Sequence, residues 1–201
     1  MIKLIGTPQS RAFRALWLLE ELQIPYEIIG LSPHDPEVFK YNPSGKIPAL
    51  VDDGEVIIDS MAICYYLSDK YKKFTFPCGT INRAKQDSFI GFALDDFETP
   101  LWTYGKNIST LPENLRVAEI LPTCKYEFAQ ALKIFEQRLG ENRYLMGNQF
   151  TIADIFIVHS LTWAKISRFD IPNTGAIADY INRARGRQAY QRARSKRSKN
   201  K

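Results

Sequence analysis

The first 30 residues alternate between two hydrophobic periods. IKLIG (residues 2–6) is a short apolar run of strand length. RALWLLEELQI then repeats apolar residues at helical spacing and sets Glu20 and Glu21 together on the polar side. IPYEIIGL reads as a second strand, entered at Pro25. A strand, a helix and a strand within about 30 residues make a βαβ unit, which implies a parallel strand pair and a right-handed crossover. DPEVFKYNPSGK follows as a short helix or loop, with turn chemistry at Asn42-Pro43 and Ser44-Gly45. IPALVDDGEVIID places two β-rich runs around Asp53-Gly54, a favoured tight-hairpin dipeptide. Residues 60–71, SMAICYYLSDKY, return to helical spacing, with Ala62, Ile63, Tyr66 and Leu67 as the expected buried face.

After FTFPCGT, which has the composition of a linker, the pattern contains helices only. The spacing predicts one helix from Asn82 to about Tyr104 and another from Glu113 to about Leu139, kinked or broken at Pro122. FTIADIFIVHSLTWAKIS supplies a third, and NTGAIADYINRARGRQAYQRARSK one or two more, divided near Gly186. Thr151 and Asp154 have capping-box spacing, and Phe150 and Ile155 that of a hydrophobic staple, so Asp154 reads as structural. The fold class is therefore an α/β N-terminal domain (βαβ, short helix, ββα) followed by an all-α domain.

Composition narrows the chemistry. No apolar run approaches the roughly 18 residues of a spanning helix, and no signal peptide is apparent, so a cytoplasmic protein is expected. Cys64, Cys78 and Cys124 lie far apart, without the spacing of a zinc site or a disulfide framework, and read as reduced thiols. His34 and His159 are isolated and read as loop and helix residues rather than catalytic ones. The net charge is +5, yet nine positive residues fall between Arg183 and Lys201; subtracting them leaves −4 for residues 1–182. The basic character thus belongs to the tail, which could meet phosphates through salt-sensitive contacts. Specific nucleic-acid binding is not expected, and about the last eight residues are expected to be disordered.

SRAFRALWLLEELQIPYE, NPSGKIPALVDDGEVIIDSMAICYYL, GNQFTIADIFI and the closing YINRARGRQAYQRA, in this order, resemble the cytosolic glutathione S-transferases, of a bacterial type with a serine candidate at the catalytic position. The resemblance implies a thioredoxin-like glutathione-binding domain over residues 1–75 and an all-helical domain with a basic tail over 81–201. It implies glutathione as co-substrate, no metal, a homodimer, no membrane, and a role in detoxification. It also implies a cis Ile47-Pro48 bond, with the cysteinyl backbone of glutathione pairing at Ile47. Ser60 and its amide would take the γ-glutamyl carboxylate, Asp59 the ammonium group, and Lys46 the glycyl carboxylate. Read without the resemblance, Asp59-Ser60 is equally an N-cap, Pro48 opens an edge strand, and Lys46 is a surface lysine.

Glutathione chemistry needs a hydrogen-bond donor between the first strand and the first helix. A free thiol has a pKa near 8.5, and a donor at the positive end of a helix favours the reactive thiolate. Counted back from LWLLEEL, Ser10 falls where one bacterial class has a cysteine. By the same count the serine of other classes falls on Gln9 and an asparagine seen elsewhere on Arg11, while Thr7 is a further hydroxyl. Ser10 also reads as a plain N-cap, and Arg14 as structural. The absence of a cysteine in this loop argues against variants that form a mixed disulfide with glutathione. Phe92, Asp96, Trp102, Tyr104 and Trp163 are candidate liners of an electrophile pocket, expected between the two domains. Three functions remain open at this point: transfer of glutathione to small hydrophobic electrophiles, glutathione-dependent reduction of peroxides or disulfides, and a non-enzymatic binding module.

Overall fold

A computed structural model of the chain describes residues 1–196. Its contacts divide the chain into two compact units, Met1–Pro77 with the segment that begins at Arg185, and Cys78–Ala184.

In the first unit, β1 (Ile2–Ile5) leads through α1 (Ala12–Leu22) to β2 (Tyr26–Ile29). β1 and β2 pair in parallel, Ile2 opposite Tyr26 and Ile5 opposite Ile29, as a βαβ unit requires. A single helical turn at Val38–Lys40 precedes β3 (Ala49–Asp52) and β4 (Glu55–Ile58). β3 runs antiparallel to both β1 and β4, giving the sheet order β2-β1-β3-β4. Asp53 and Gly54 both have positive φ, +51° and +87°, the left-handed pair a two-residue hairpin needs. α2 (Ser60–Tyr71) closes this part of the unit. Its buried residues are Ser60, Ile63, Cys64, Leu67 and Ser68. Ala62 and Tyr66, expected on that face, are half-buried, and Tyr66 turns its hydroxyl to the Asp52 carboxylate at 2.8 Å.

α1 is the centre of the unit, with Trp17, Leu18 and Leu19 fully buried. Its covering on one side comes from α8 (Gln188–Lys196), whose Tyr190 ring meets Trp17 at 4.8 Å and Phe13 at 5.5 Å, both edge-on. Glu20 and Glu21, which the sequence places on a polar face, anchor α8. Arg187 grips Glu21 through two bonds of 2.6 and 2.7 Å, Arg192 reaches the Glu20 carboxylate and carbonyl at 2.7 Å each, and Lys196 lies 2.9 Å from Glu20. The sequence assigns this segment to the helical domain. Instead, its apolar face and three of its cations are engaged by α1, which also withdraws Arg187, Arg192 and Lys196 from the charge available to a polyanion. Of the eight residues expected to be disordered, 194–196 are helical, and 197–201 lie outside the described residues.

The second unit is helical. α3 (Ile81–Phe92) runs into a π-helical turn, Ala93–Phe97, then α4 (Glu98–Gly105) and a second π turn, Lys106–Thr110. The single helix expected here is thus continuous but locally widened. Pro100 has no N–H to offer the preceding turn, and just upstream the Glu98 amide reaches back five residues to the Ala93 carbonyl. α5 begins at Ile120 and runs to Leu139, so Pro122 sits in its first turn rather than at a kink. A missing amide hydrogen costs nothing there, because first-turn amides have no intrahelical acceptor. α6 (Ile152–Ile166) and α7 (Ala176–Arg185) follow. Phe97 is the hub of this core, with ring centroids of Phe92, Phe128 and Phe135 at 5.1, 5.0 and 5.6 Å. Among the described residues no helix is long and apolar enough to cross a membrane.

Candidate functional site

The turn between β1 and α1 is shaped by Gly6, whose φ is +134°. A Cβ there would lie 3.0 Å from the Cβ of Ala12 and 3.2 Å from that of Ile47. Glycine therefore lets the end of β1, the start of α1 and the Ile47 loop come together. In this turn the Ser10 hydroxyl donates to the Thr7 carbonyl at 2.8 Å and accepts from the Ala12 amide at 3.1 Å. The N-cap position of α1 falls on Arg11, without a side-chain cap bond, so Ser10 stands one residue before it; its hydroxyl still holds the first helical amide and is partly exposed. Holding that amide is compatible with binding a thiolate. The oxygen can keep the Ala12 amide while its proton rotates from a neutral carbonyl to a thiolate, and charge-assisted bonds are about twice as strong as neutral ones. Gln9 is exposed, and Thr7 contributes its carbonyl to the turn. Arg11 is half-buried; burial lowers its pKa and the nearby Asp59 carboxylate opposes that shift.

The loop before β3 is built around Asn42. Its side-chain nitrogen donates to the Lys46 carbonyl at 2.9 Å, and its oxygen accepts from the Ser44 amide and hydroxyl at 3.1 and 2.9 Å. These bonds hold the backbone that enters Ile47-Pro48, whose peptide bond is cis, as the resemblance implies. Pro48 is buried, Ile47 half-buried and Lys46 exposed.

α2 begins with Asp59 at φ +74°, a conformation that non-glycine residues rarely adopt. Its carboxylate caps the helix, accepting from the amides of Met61 at 2.7 Å and Ala62 at 3.4 Å. Ser60 is buried, and its Oγ accepts from Nη1 of Arg14 at 3.2 Å. Arg14 is fully buried in α1; burial first, then the neighbouring Arg11, pulls its pKa down to about 9, so it remains charged at neutral pH. Beside it, burial pushes the Cys64 thiol up to about 12, which leaves that cysteine neutral and unreactive. The structure thus ties the starts of α1 and α2 together through Arg14, a residue the sequence reading treats as structural. The available signal was an arginine set among the apolar positions Phe13, Ala15, Trp17 and Leu18. Asn42 reads in the sequence only as turn chemistry, and nothing there marks Gly6.

Residues 10–70 match the description "Glutathione S-transferase, N-terminal domain", and residues 115–187 match "Glutathione S-transferase, C-terminal domain". Glutathione S-transferase 3 of Schizosaccharomyces pombe is 30% identical over 172 residues, covering 77% of this chain and 70% of its own. The chain belongs to the glutathione S-transferase family. Another member, glutathione S-transferase GstA of Escherichia coli O157:H7, is 27% identical over 165 residues, 79% of this chain and 77% of its own. Among solved structures, the glutathione transferase URE2P6 of Phanerochaete chrysosporium, in complex with oxidised glutathione, superposes with a TM-score of 0.86 at 23% identity, covering 98% of this chain and 96% of that one.

The transferase candidates in the second unit separate into four groups. Phe92 is buried, packed on Phe97 and Phe135 with the Arg138 guanidinium 4.9 Å from its ring. Trp102 and Trp163 are neighbours, their centroids 6.5 Å apart, with Trp102 39% exposed. Tyr104 stands edge-on to Phe169 at 4.9 Å, with the Lys125 ammonium 5.9 Å from its ring. Asp96 is exposed on the π turn; partial desolvation, then Asp95, raises its pKa. Among the described residues no group of His, Cys, Asp and Glu side chains could hold a metal ion.

Proposed function

We propose that this transferase binds glutathione against its first unit, stabilises the thiolate through Ser10, and promotes its attack on small hydrophobic electrophiles. With an aryl halide the sulfur forms a bond to the ring carbon, halide leaves, and the thiol proton passes to solvent. The observation that carries the reading is the pair of helix starts. Ser10 places a hydroxyl at the positive end of α1, and Ser60 sits buried at the positive end of α2, both suited to anions. The γ-glutamyl carboxylate goes to Ser60 and its amide, the ammonium group to Asp59, the cysteinyl backbone to Ile47 beside Pro48, and the glycyl carboxylate to Lys46. Trp102 and Trp163, with Tyr104 and Asp96, are the residues proposed to meet the electrophile. A homodimer in a reducing cytoplasm, acting in detoxification, completes the reading; the three free cysteines support the compartment, and sedimentation checks the dimer.

The test is turnover of glutathione with a generic aryl halide by the wild type, Ser10→Ala and Gln9→Ala. Loss of one thiolate hydrogen bond costs about 10- to 100-fold in rate. Ser10→Ala is expected to show that loss and Gln9→Ala is not. Full activity in Ser10→Ala would remove Ser10 from the mechanism and return the role to Gln9, Arg11 or Thr7. A second reading, glutathione binding without transfer, draws support from the bond that commits the Ser10 proton to the Thr7 carbonyl. Retention on immobilised glutathione with no turnover of aryl halides, peroxides or disulfides would favour it. Turnover of peroxides or disulfides alone would place the same thiolate in a reductase.

A further inference from the structure

Ser60 and Arg14 make a contact whose direction is fixed by chemistry. A guanidinium carries donors only, so in the 3.2 Å contact between Nη1 and Oγ the serine oxygen must accept. The serine proton therefore points away from Arg14. No described residue accepts that proton, although Ser60 is only 3% exposed. A buried hydroxyl proton without an acceptor is costly unless something else supplies one. The Ser60 oxygen lies at the start of α2, where the backbone leaves Asp59 in a strained left-handed conformation and the helix presents its positive end. Arg14 lies fully buried against Ser60, with the charges of Arg11 and Asp59 nearby. The cost at the Ser60 proton is offset if an anion docks over Ser60.

We propose that Arg14 is a positioning residue of this site: by occupying a lone pair of Ser60 it turns the serine proton toward the α-carboxylate of the γ-glutamyl group, and its buried charge adds to the attraction. The inference rests on the transferase reading above and assigns a determinant of which peptides that site accepts. Arg14 touches Ser60 rather than the substrate, so its effect is selectivity for the carboxylate, not the rate of sulfur transfer.

The experiment compares two peptides, glutathione and 4-aminobutyryl-cysteinyl-glycine, which is the same molecule without that carboxylate. Affinities are measured by calorimetry for the wild type, Arg14→Lys and Arg14→Gln. The wild type is expected to prefer glutathione by about 10-fold or more, the scale of a charge-assisted hydrogen bond. Arg14→Gln should lose most of that preference, Arg14→Lys should keep it within about threefold, and kcat at saturating glutathione should move far less than KM in both. A merely structural arginine would weaken both peptides alike and leave the ratio unchanged, which would overturn the inference. Because Arg14 is buried, a measurement on the unaltered protein stands beside the variants. The Arg14 Nε resonance should shift when glutathione binds and stay in place when the decarboxylated peptide binds; equal responses to the two peptides would overturn the inference even if neither variant folds. Binding of neither peptide by the wild type would instead refute the transferase reading, and the role of Arg14 with it.

Discussion

The starts of α2 and α6 each use an aspartate to hold backbone amides, and they differ in almost every other respect. At α2 the cap is Asp59 itself, exposed, at φ +74°, with its carboxylate on the first-turn amides and a buried serine next in sequence. At α6 the cap is Thr151, in extended conformation at φ −134°, and the aspartate is Asp154, three residues on and fully buried. Asp154 accepts from the Leu145 amide at 3.0 Å, the Thr151 amide at 2.8 Å and the Tyr180 hydroxyl at 3.0 Å. Every bond Asp154 can make is made inside its own unit, whereas α2 keeps a hydroxyl proton in reserve. Capping chemistry alone does not separate a binding site from a structural joint. Exposure and unspent donors do.

The largest test of that contrast is Asp154→Ala. It strands four donors, those of the Leu145 and Thr151 amides and the Thr151 and Tyr180 hydroxyls, at about 1–3 kcal/mol each before relaxation, so urea unfolding should show a loss of about 3–5 kcal/mol. Glutathione affinity of the folded protein should be unchanged. A loss below about 1 kcal/mol would mean that Asp154 is as dispensable as a surface cap.

The pH dependence of stability should follow. Burial pushes the Asp154 carboxyl up to about 6, against the opposing bonds from Leu145, Thr151 and Tyr180. An unfolded aspartate titrates near 3.9, so between these values the folded protein holds a proton that the unfolded chain has released. The contribution of Asp154 to stability is therefore greatest below about pH 4, falls by about 3 kcal/mol as the pH rises to about 6, and is flat above. Stability of the wild type minus that of Asp154→Asn, followed from pH 4 to 7, isolates this slope. A difference that rises with pH would reverse the assignment.

Asp59→Gly probes the other helix start. Glycine adopts the left-handed conformation freely and is an acceptable cap, so stability should change by less than about 0.5 kcal/mol. With Asp59 as the proposed partner of the peptide ammonium, glutathione affinity should fall about 10-fold by calorimetry. A variant that loses stability but keeps affinity would make α2 a structural start like α6. The smallest effect expected is that of Thr151→Ala, about 1 kcal/mol in stability and nothing in glutathione affinity.

Much of this architecture is legible in local pattern. The switch between periods of two and 3.6 gives β1, α1 and β2 in order, Asp53-Gly54 gives the hairpin, and Thr151 with Asp154 gives the start of α6. Ser60 and Asp59 are legible as a helix start, and Ser10 as a hydroxyl at the start of α1. What the pattern misreads depends on partners far along the chain. Glu20 and Glu21 look like a solvated face because their cations are about 170 residues away, Arg187 being 166 positions from Glu21 and Arg192 172 from Glu20. Aromatic spacing on one helix likewise does not reveal that Phe92 packs on Phe97 and Phe135.

The amino-acid sequence by itself determined the order and type of the elements, because period, turn residues and caps act over a few neighbouring positions. It also determined which groups could bind an anion. Only the tertiary structure decided which of them are spent and which are left to act: Arg14 meets Ser60 across 46 residues, and α8 returns to α1 instead of remaining a free basic tail. The reason is that burial and hydrogen-bond satisfaction belong to the packed environment of an atom, which no short stretch of chain contains.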